Sequence, residues 1–293
     1  MNCAINPLLG VAYRFRESRL PLAPDKKKIA VIGGGPAGLT ALFTGVERGH
    51  DVTLYEKSSR VGGRVIQASA SSVKTDMRDY LKWLETQTGK IIEAGTAKVI
   101  LDTEATPQMI QTEGYDAVII AIGAEPRLPE VPGVDKQNVF WAAEAITEQR
   151  SEIGEKVVVV GAGEIGMEAA ADLAGEGKEV AIIDMRNQPV YSATRSSPLI
   201  GLLKEMGVEI SYDTSLVEIT DKGVVARDKD GKNFEIEADT VLLATGMQAD
   251  TELVESFRRC ATETGCVVVG DAKAVGGNLT MAVNPAFLAV LNL

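Results

Sequence analysis

Residues 28–57 read KIAVIGGGPAGLTALFTGVERGHDVTLYEK, and residues 156–185 read KVVVVGAGEIGMEAAADLAGEGKEVAIIDM. The two stretches align without a gap at an offset of 128 residues, Lys28 to Lys156. Each opens on a β-branched apolar run, IAVI or VVVV, and turns on clustered glycines. Each continues with helical spacing, breaks at RGHD or EGKE, and closes on a second apolar run that ends in an acid. That is strand, helix, strand written twice, which implies a parallel sheet in each copy. A second echo, DAVIIAIG at 116–123 and DTVLLATG at 239–246, supplies a further strand that runs into a glycine.

The glycines fall as Gly33-x-Gly35-x-x-Gly38 and Gly161-x-Gly163-x-x-Gly166. In such a turn the first glycine allows the tight bend and the second lets a pyrophosphate approach the backbone. The third lets the helix pack against the strand. Backbone N–H groups and the dipole of the following helix then hold the phosphates. Six glycines alone are weak evidence in a chain with 29 of them, but the context is specific. A strand precedes each turn, and an acid, Glu56 or Asp184, lies 23 residues after each first glycine, in reach of a ribose. The fold class expected is therefore α/β with two Rossmann-like dinucleotide-binding domains. Pro36 and Ala37 in the first turn, and Glu164 and Ile165 in the second, belong to these nucleotide sites. Gly62-Gly63 after Glu56 lets the chain pass close to a flavin's phosphates, so the first site suits FAD and the second a nicotinamide nucleotide. Asp184 would repel a 2′-phosphate, which favours NADH over NADPH, although Arg186 nearby offers such a phosphate a partner.

The rest of the composition narrows the class. Apolar residues make up 45% and charged residues 24%, as in ordinary globular proteins. A net charge of −11 disfavours binding to nucleic acid or to an anionic membrane. No apolar run approaches the roughly 18 residues needed to span a bilayer. The N-terminus lacks the pattern of a secretory signal. Three cysteines, Cys3, Cys260 and Cys266, are too few for a disulfide framework and fit a cytoplasmic location. Cys260 and Cys266 are not spaced as a CxxC dithiol and read as ordinary buried or semi-buried thiols. The lone histidine, His50, reads as a turn residue, and Met77, Tyr80, Leu81 and Leu84 form the apolar stripe of a helix from Thr75. Asp230-Gly231 signals a hairpin.

These motifs resemble the two-dinucleotide-binding-domain flavoproteins. In particular, the chain is similar to the C-terminal half of the 2-enoate reductase, 2,4-dienoyl-CoA reductase and trimethylamine dehydrogenase group. VIGGGPAGL at 31–39 and LYEK at 54–57 resemble its FAD fingerprint. AIGAEPR at 121–127 and LLATG at 242–246 resemble its paired crossover motifs, and VVGDA at 268–272 its late flavin-contacting motif. The resemblance implies FAD contacts at Lys57, Gly63, Arg64, Ala121, Gly123, Gly270 and Asp271, with Asp271 on a ribityl hydroxyl. It implies a nicotinamide-nucleotide contact at Gly246. Glu168, on the first turn of the second helix, is either a nicotinamide-amide contact or a plain helix carboxylate. No catalytic acid or base is required for hydride transfer itself.

CAINPLLG at 3–10 resembles the segment holding the last cysteine of a 4Fe–4S site. One thiolate does not make a cluster, so Cys3 reads as a remnant ligand or as one completed by residues outside this chain. The cluster and FMN are expected only together with a preceding TIM-barrel reductase domain or partner subunit. The expected layout is a lead at 1–26 and an FAD domain at 27–128 and 250–293. A nicotinamide-nucleotide domain at 129–249 is inserted in it. The activity expected is hydride transfer from NADH to FAD in service of an enoate- or enoyl-CoA-type reductase. A free-standing NADH oxidase and a non-catalytic nucleotide-binding module are the alternatives.

Overall fold

The structure is a computed structural model that describes residues 3–9, 20–72, 74–188, 193–260 and 265–293, the side chains of 193–197 excepted. Much of the expected N-terminal lead, residues 10–19, lies outside the described residues.

The elements follow the duplicated grammar. The first run is β1 (Lys28–Ile32), α1 (Pro36–Glu47), β2 (Asp51–Tyr55), α2 (Val65–Ala70), α3 (Thr75–Ala94), β3 (Lys98–Ile100), α4 (Pro107–Glu113) and β4 (Ala117–Ile120). After β5 (Glu125–Pro126) come β6 (Val139–Trp141), α5 (Ala142–Ala145), β7 (Lys156–Val160), α6 (Glu164–Gly175), β8 (Glu179–Ile183), α7 (Ala193–Glu205) and β9 (Glu209–Ser211). An antiparallel trio, β10 (Ser215–Thr220), β11 (Gly223–Arg227) and β12 (Asn233–Glu237), precedes β13 (Thr240–Leu243) and β14 (Met247–Gln248). The chain ends with α8 (Thr251–Cys260), β15 (Cys266–Val268) and α9 (Leu279–Leu291).

Two compact units result. One contains residues 1–66, 76–125 and 247–293, and the other contains 67–75 and 126–246. Residues 67–72, 74 and 75, which sequence alone would keep with the flavin domain, group with the second unit.

The first unit is built on a five-stranded parallel sheet ordered β15-β4-β1-β2-β3. Both faces of β1 are covered, so its residues are apolar without a break. Ile29 and Val31 pack with Leu39, Leu42, Leu84 and Val290, side chains of α1, α3 and α9. Ala30 and Ile32 pack with Ile110 and Phe257, from α4 and α8. The second unit repeats the plan with β6-β13-β7-β8-β9, again all parallel. Val157 and Val159 pack with Met167, Leu173 and Leu203. Val158 and Val160 instead meet Ile219, Val224 and Ala226 of the antiparallel trio. Helices cover this face of the first sheet, and a second small sheet covers it here. The trio's last turn is the hairpin at Asp230-Gly231, closed by Gly231 N–H donating to the Asp228 carbonyl at 3.0 Å.

The duplication extends to single hydrogen bonds. Lys28 N–H donates to Asp116 Oδ2 at 2.7 Å, and Lys156 N–H donates to Asp239 Oδ2 at 2.9 Å. Each aspartate pins the start of the central strand to its neighbour. His50 sits in the turn before β2, 3% exposed, where Nδ1 accepts the Lys27 N–H at 3.2 Å. Burial, then the positive charges of Arg48 and Lys27, hold its pKa below the usual imidazole value. It is a neutral structural group. Among the described residues no helix is long and apolar enough to cross a membrane.

Candidate functional site

At the first fingerprint each glycine has its own physical reason. Gly33 has φ +103°, and a Cβ there would lie 2.4 Å from the Ala121 carbonyl oxygen. A Cβ on Gly38 would lie 1.8 Å from the Gly33 carbonyl oxygen, so glycine is what lets α1 sit against β1. Gly35 differs. Its nearest neighbour would be the Gly63 Cα at 3.8 Å, an ordinary contact, so the turn stays open in front of it. Gly35 is the N-cap of α1, with no side-chain cap, and Pro36 takes the first helical position. By contrast, Thr106 and Asn278 cap α4 and α9 with their side chains. The leading N–H groups of α1 are thus left for an anion.

Glu56 closes β2 and reaches back to this turn. Its Oε2 accepts the Gly34 N–H at 2.6 Å and its Oε1 accepts the Ser58 N–H at 2.8 Å. Gly62 N–H donates to the Gly34 carbonyl at 2.9 Å, which lays the Gly62-Gly63 pair over the fingerprint. Arg64 follows, donating to the Ala124 carbonyl at 3.1 Å and pairing with Glu125 at 3.3 Å. Lys57 meets the same carboxylate at 3.1 Å. Gly123 has φ +73° with open space around it. A Cβ on Gly270 would touch that of buried Ala37 at 3.3 Å, which brings the late motif beside the first turn of α1. Asp271 is half-buried there. Burial raises its carboxyl pKa, opposed by the Gly277 N–H and by Arg64.

A cleft of about 160 Å³ opens at the ends of β1, β2 and β4, between Glu56, Lys57 and Gly123 on one side and Asp250, Leu253 and Phe257 on the other. This is the carboxyl-end crevice where parallel α/β sheets take ligands. The α8 wall, with Thr103, Glu104 and Ala105, was not foreseen from sequence. The amphipathic pattern of α8 marks a helix, but nothing local ties it to a strand more than a hundred residues earlier.

The second fingerprint repeats the geometry. Gly161 has φ +113° and would place a Cβ 2.3 Å from the Ala244 carbonyl oxygen. Gly166 would place one 2.0 Å from the Gly161 carbonyl oxygen. A Cβ on Gly163 would meet nothing within 4 Å, and Gly163 caps α6 without a side-chain bond. Ile165 is half-buried on the first turn of α6, and Gly246 has φ +101° in open space. Asp184 Oδ2 accepts the Ala162 N–H at 2.7 Å, as Glu56 does for Gly34. Unlike Glu56, Asp184 also carries Arg186: Nε to Oδ1 at 2.9 Å, Nη2 to Oδ2 at 2.5 Å, and the backbone N–H to Oδ1 at 2.9 Å.

Glu168 is 7% exposed on α6 and meets Lys74 Nζ at 2.7 Å. Glu164 joins the same ammonium at 3.4 Å. Burial raises the Glu168 pKa, and Lys74 counteracts it. One turn on, Asp172 accepts the Ser72 backbone N–H at 2.9 Å and the Ser72 hydroxyl. Glu164, Glu168 and Asp172 form a carboxylate stripe at helical spacing, and Ser72 and Lys74 lie along it. Lys74 escaped sequence reasoning, because its partner lies far along the chain. Its only local signal was a lysine in an otherwise uncharged stretch.

Cys3, Cys260 and Cys266 are half-buried and unpaired. Among the described residues no three metal-ligating side chains gather at one place.

The sequence profile of the pyridine nucleotide-disulphide oxidoreductases matches residues 27–275. The chain belongs to this family. Members bind FAD and NADH, and the two uncapped, glycine-fronted helix starts fit two dinucleotides. As a pyridine nucleotide-disulphide oxidoreductase, the chain is an FAD-dependent oxidoreductase, although its sequence has no CxxC pair. It is 31% identical to the cinnamate reductase of Clostridium sporogenes over 299 residues, covering 100% of this chain and 43% of that protein. It is 34% identical to an NADH oxidase of Thermoanaerobacter brockii over 282 residues, covering 94% of this chain and 42% of that protein. A solved 2-naphthoyl-CoA reductase superposes with a TM-score of 0.87 at 30% identity, covering 100% of this chain and 44% of that one. The chain thus matches the C-terminal half of 2-enoate-reductase-type flavoproteins and spans less than half the length of these relatives. Thioredoxin reductase of T. acidophilum shares the fold, with a TM-score of 0.70 at 18% identity.

Proposed function

We propose that the chain is an NADH:FAD oxidoreductase module that feeds electrons to an ene-reducing partner. FAD belongs to residues 27–128 and 250–293, and the nicotinamide nucleotide to residues 129–249. The observation that carries this is the pair of capless helix starts, α1 and α6, each begun by a glycine where a Cβ would make no more than an ordinary contact, and flanked by a strand-end acid.

In the first unit, Glu56 keeps acceptor positions for a ribose diol, since only two N–H groups occupy its oxygens. The N–H groups of α1 receive the pyrophosphate, with Lys57 and Arg64 supplying positive charge. Asp271 accepts a ribityl hydroxyl, and Ala121, Gly123 and Gly270 let the backbone come close. In the second unit, the start of α6 takes the other pyrophosphate beside Gly161, Gly163, Ile165 and Gly166, and Gly246 leaves room for the bound nucleotide. Glu168, held by Lys74, is the acceptor for a nicotinamide amide. When bound, NADH and FAD supply the hydride chemistry between them; the chain orients and shields.

Relatives named for cinnamate and 2-naphthoyl-CoA reduction are more than twice as long. That supports a TIM-barrel partner bearing FMN and an iron-sulfur cluster, with Cys3 as a remnant ligand of it. The unpaired thiols support a cytoplasmic setting.

Purified chain is expected to be yellow with equimolar FAD, and anaerobic NADH is expected to bleach it. A colourless protein that ignores added FAD ends this reading. Yellow protein indifferent to NADH leaves only a flavin-binding role.

A further inference from the structure

The two strand-end acids occupy equivalent places but are not equivalently engaged. Glu56 accepts one N–H on each oxygen. Asp184 accepts two donors on each oxygen: Ala162 N–H and Arg186 Nη2 on Oδ2, Arg186 N–H and Nε on Oδ1. A carboxylate offers about four acceptor positions, so Asp184 is saturated by its own chain. Its side chain is 3% exposed, while the Arg186 side chain is 42% exposed. The group presented to a nucleotide's adenosine ribose at this strand end is therefore a guanidinium and not a carboxylate.

We infer that Arg186 makes the second site accept NADPH as well as NADH, by offering a 2′-phosphate the fork now folded on Asp184. The inference rests on the reading that this unit holds the nicotinamide nucleotide. With NADH, a ribose hydroxyl must displace Arg186 from Asp184 before the acid can accept it. With NADPH, the guanidinium turns outward to the phosphate, and Asp184 keeps its two backbone donors, Ala162 N–H and Arg186 N–H. A planar guanidinium matches a phosphate in bidentate fashion. The acid that would otherwise repel a 2′-phosphate has a cation two residues away, which offsets part of that repulsion when it turns to the phosphate. The usual rule that an acid here selects NADH is thereby weakened in this chain.

The test is anaerobic flavin reduction of the FAD-loaded protein by NADH and by NADPH, with second-order rate constants compared. Wild type is expected to use both within about tenfold of each other. R186A should shift the ratio toward NADH by about tenfold to a hundredfold, the worth of a charge-assisted bond lost on one side and an acceptor gained on the other. D184N should shift it toward NADPH. The NADPH rate should fall more steeply with ionic strength than the NADH rate, because it carries the additional 2′-phosphate charge. Rapid bleaching by NADH with none by NADPH overturns this inference and leaves the FAD/NADH reading intact. Bleaching by neither overturns the reading beneath it. Equal losses with both nucleotides in R186A, at unchanged flavin content, would reduce Arg186 to a structural residue and also overturn it.

Discussion

Asp184 shows how a side chain's neighbours decide its chemistry. Burial works to raise its pKa, but the Arg186 side chain and the N–H groups of Arg186 and Ala162 outweigh it and hold the carboxyl below its usual value. A depressed folded-state pKa contributes stability that is present above the unfolded value, near about 3.9, and is lost as pH falls through the folded value. The stability difference between wild type and D184N should therefore be positive at neutral pH and shrink below about pH 4. Part of the guanidinium's contribution is screened, since its side chain is exposed. Urea unfolding of both proteins across an acid series measures the difference, and a gap independent of pH would contradict it. Glu168 runs the other way. Burial raises its pKa against the pull of Lys74, so its contribution is fullest at acid pH and is lost as pH rises through the folded value.

The helix starts carry the sharpest comparison between elements. On Gly166 an added methyl would lie 2.0 Å from the Gly161 carbonyl oxygen and 3.0 Å from the Ala244 Cβ. G166A should therefore push α6 off β7 and cost about 1–3 kcal/mol, lowering nucleotide-driven bleaching about tenfold or more while FAD stays bound. On Gly163 the methyl meets nothing of the chain within 4 Å. G163A should leave thermal stability unchanged yet raise the KM for the nucleotide, because the open space is the ligand's. Equal effects of the two substitutions on stability and KM would refute the division of labour among the three glycines.

These glycines were legible in sequence because their constraints are local: a strand before, a helix after, an acid at fixed distance. The α/β class was legible for the same reason, and it agrees with the parallel sheets observed. What escaped depended on side chains meeting across distant segments. Lys74 finds Glu168, Asp250 and Phe257 wall a cleft with Glu56, and the β10–β12 trio covers a sheet face. Asp184 and Arg186 were both noticed in sequence, but spacing could not show that one saturates the other.

Each unit has apolar packing on both faces of its own sheet, with separate sets of buried residues. A chain organised in this way should melt in two steps rather than one. FAD should raise one midpoint and NADH the other, each by mass action on the unit that binds it. Differential scanning calorimetry resolves this. A single transition moved equally by either nucleotide would contradict it.

The missing caps on α1 and α6 bear on how the chain comes to be finished. Two helices begin with amide groups that no cap side chain satisfies. If dinucleotides fill those places, they complete secondary structure as well as chemistry. Limited proteolysis of cofactor-free and cofactor-loaded protein is then expected to cut the empty form faster, since binding to the folded state alone stabilises it.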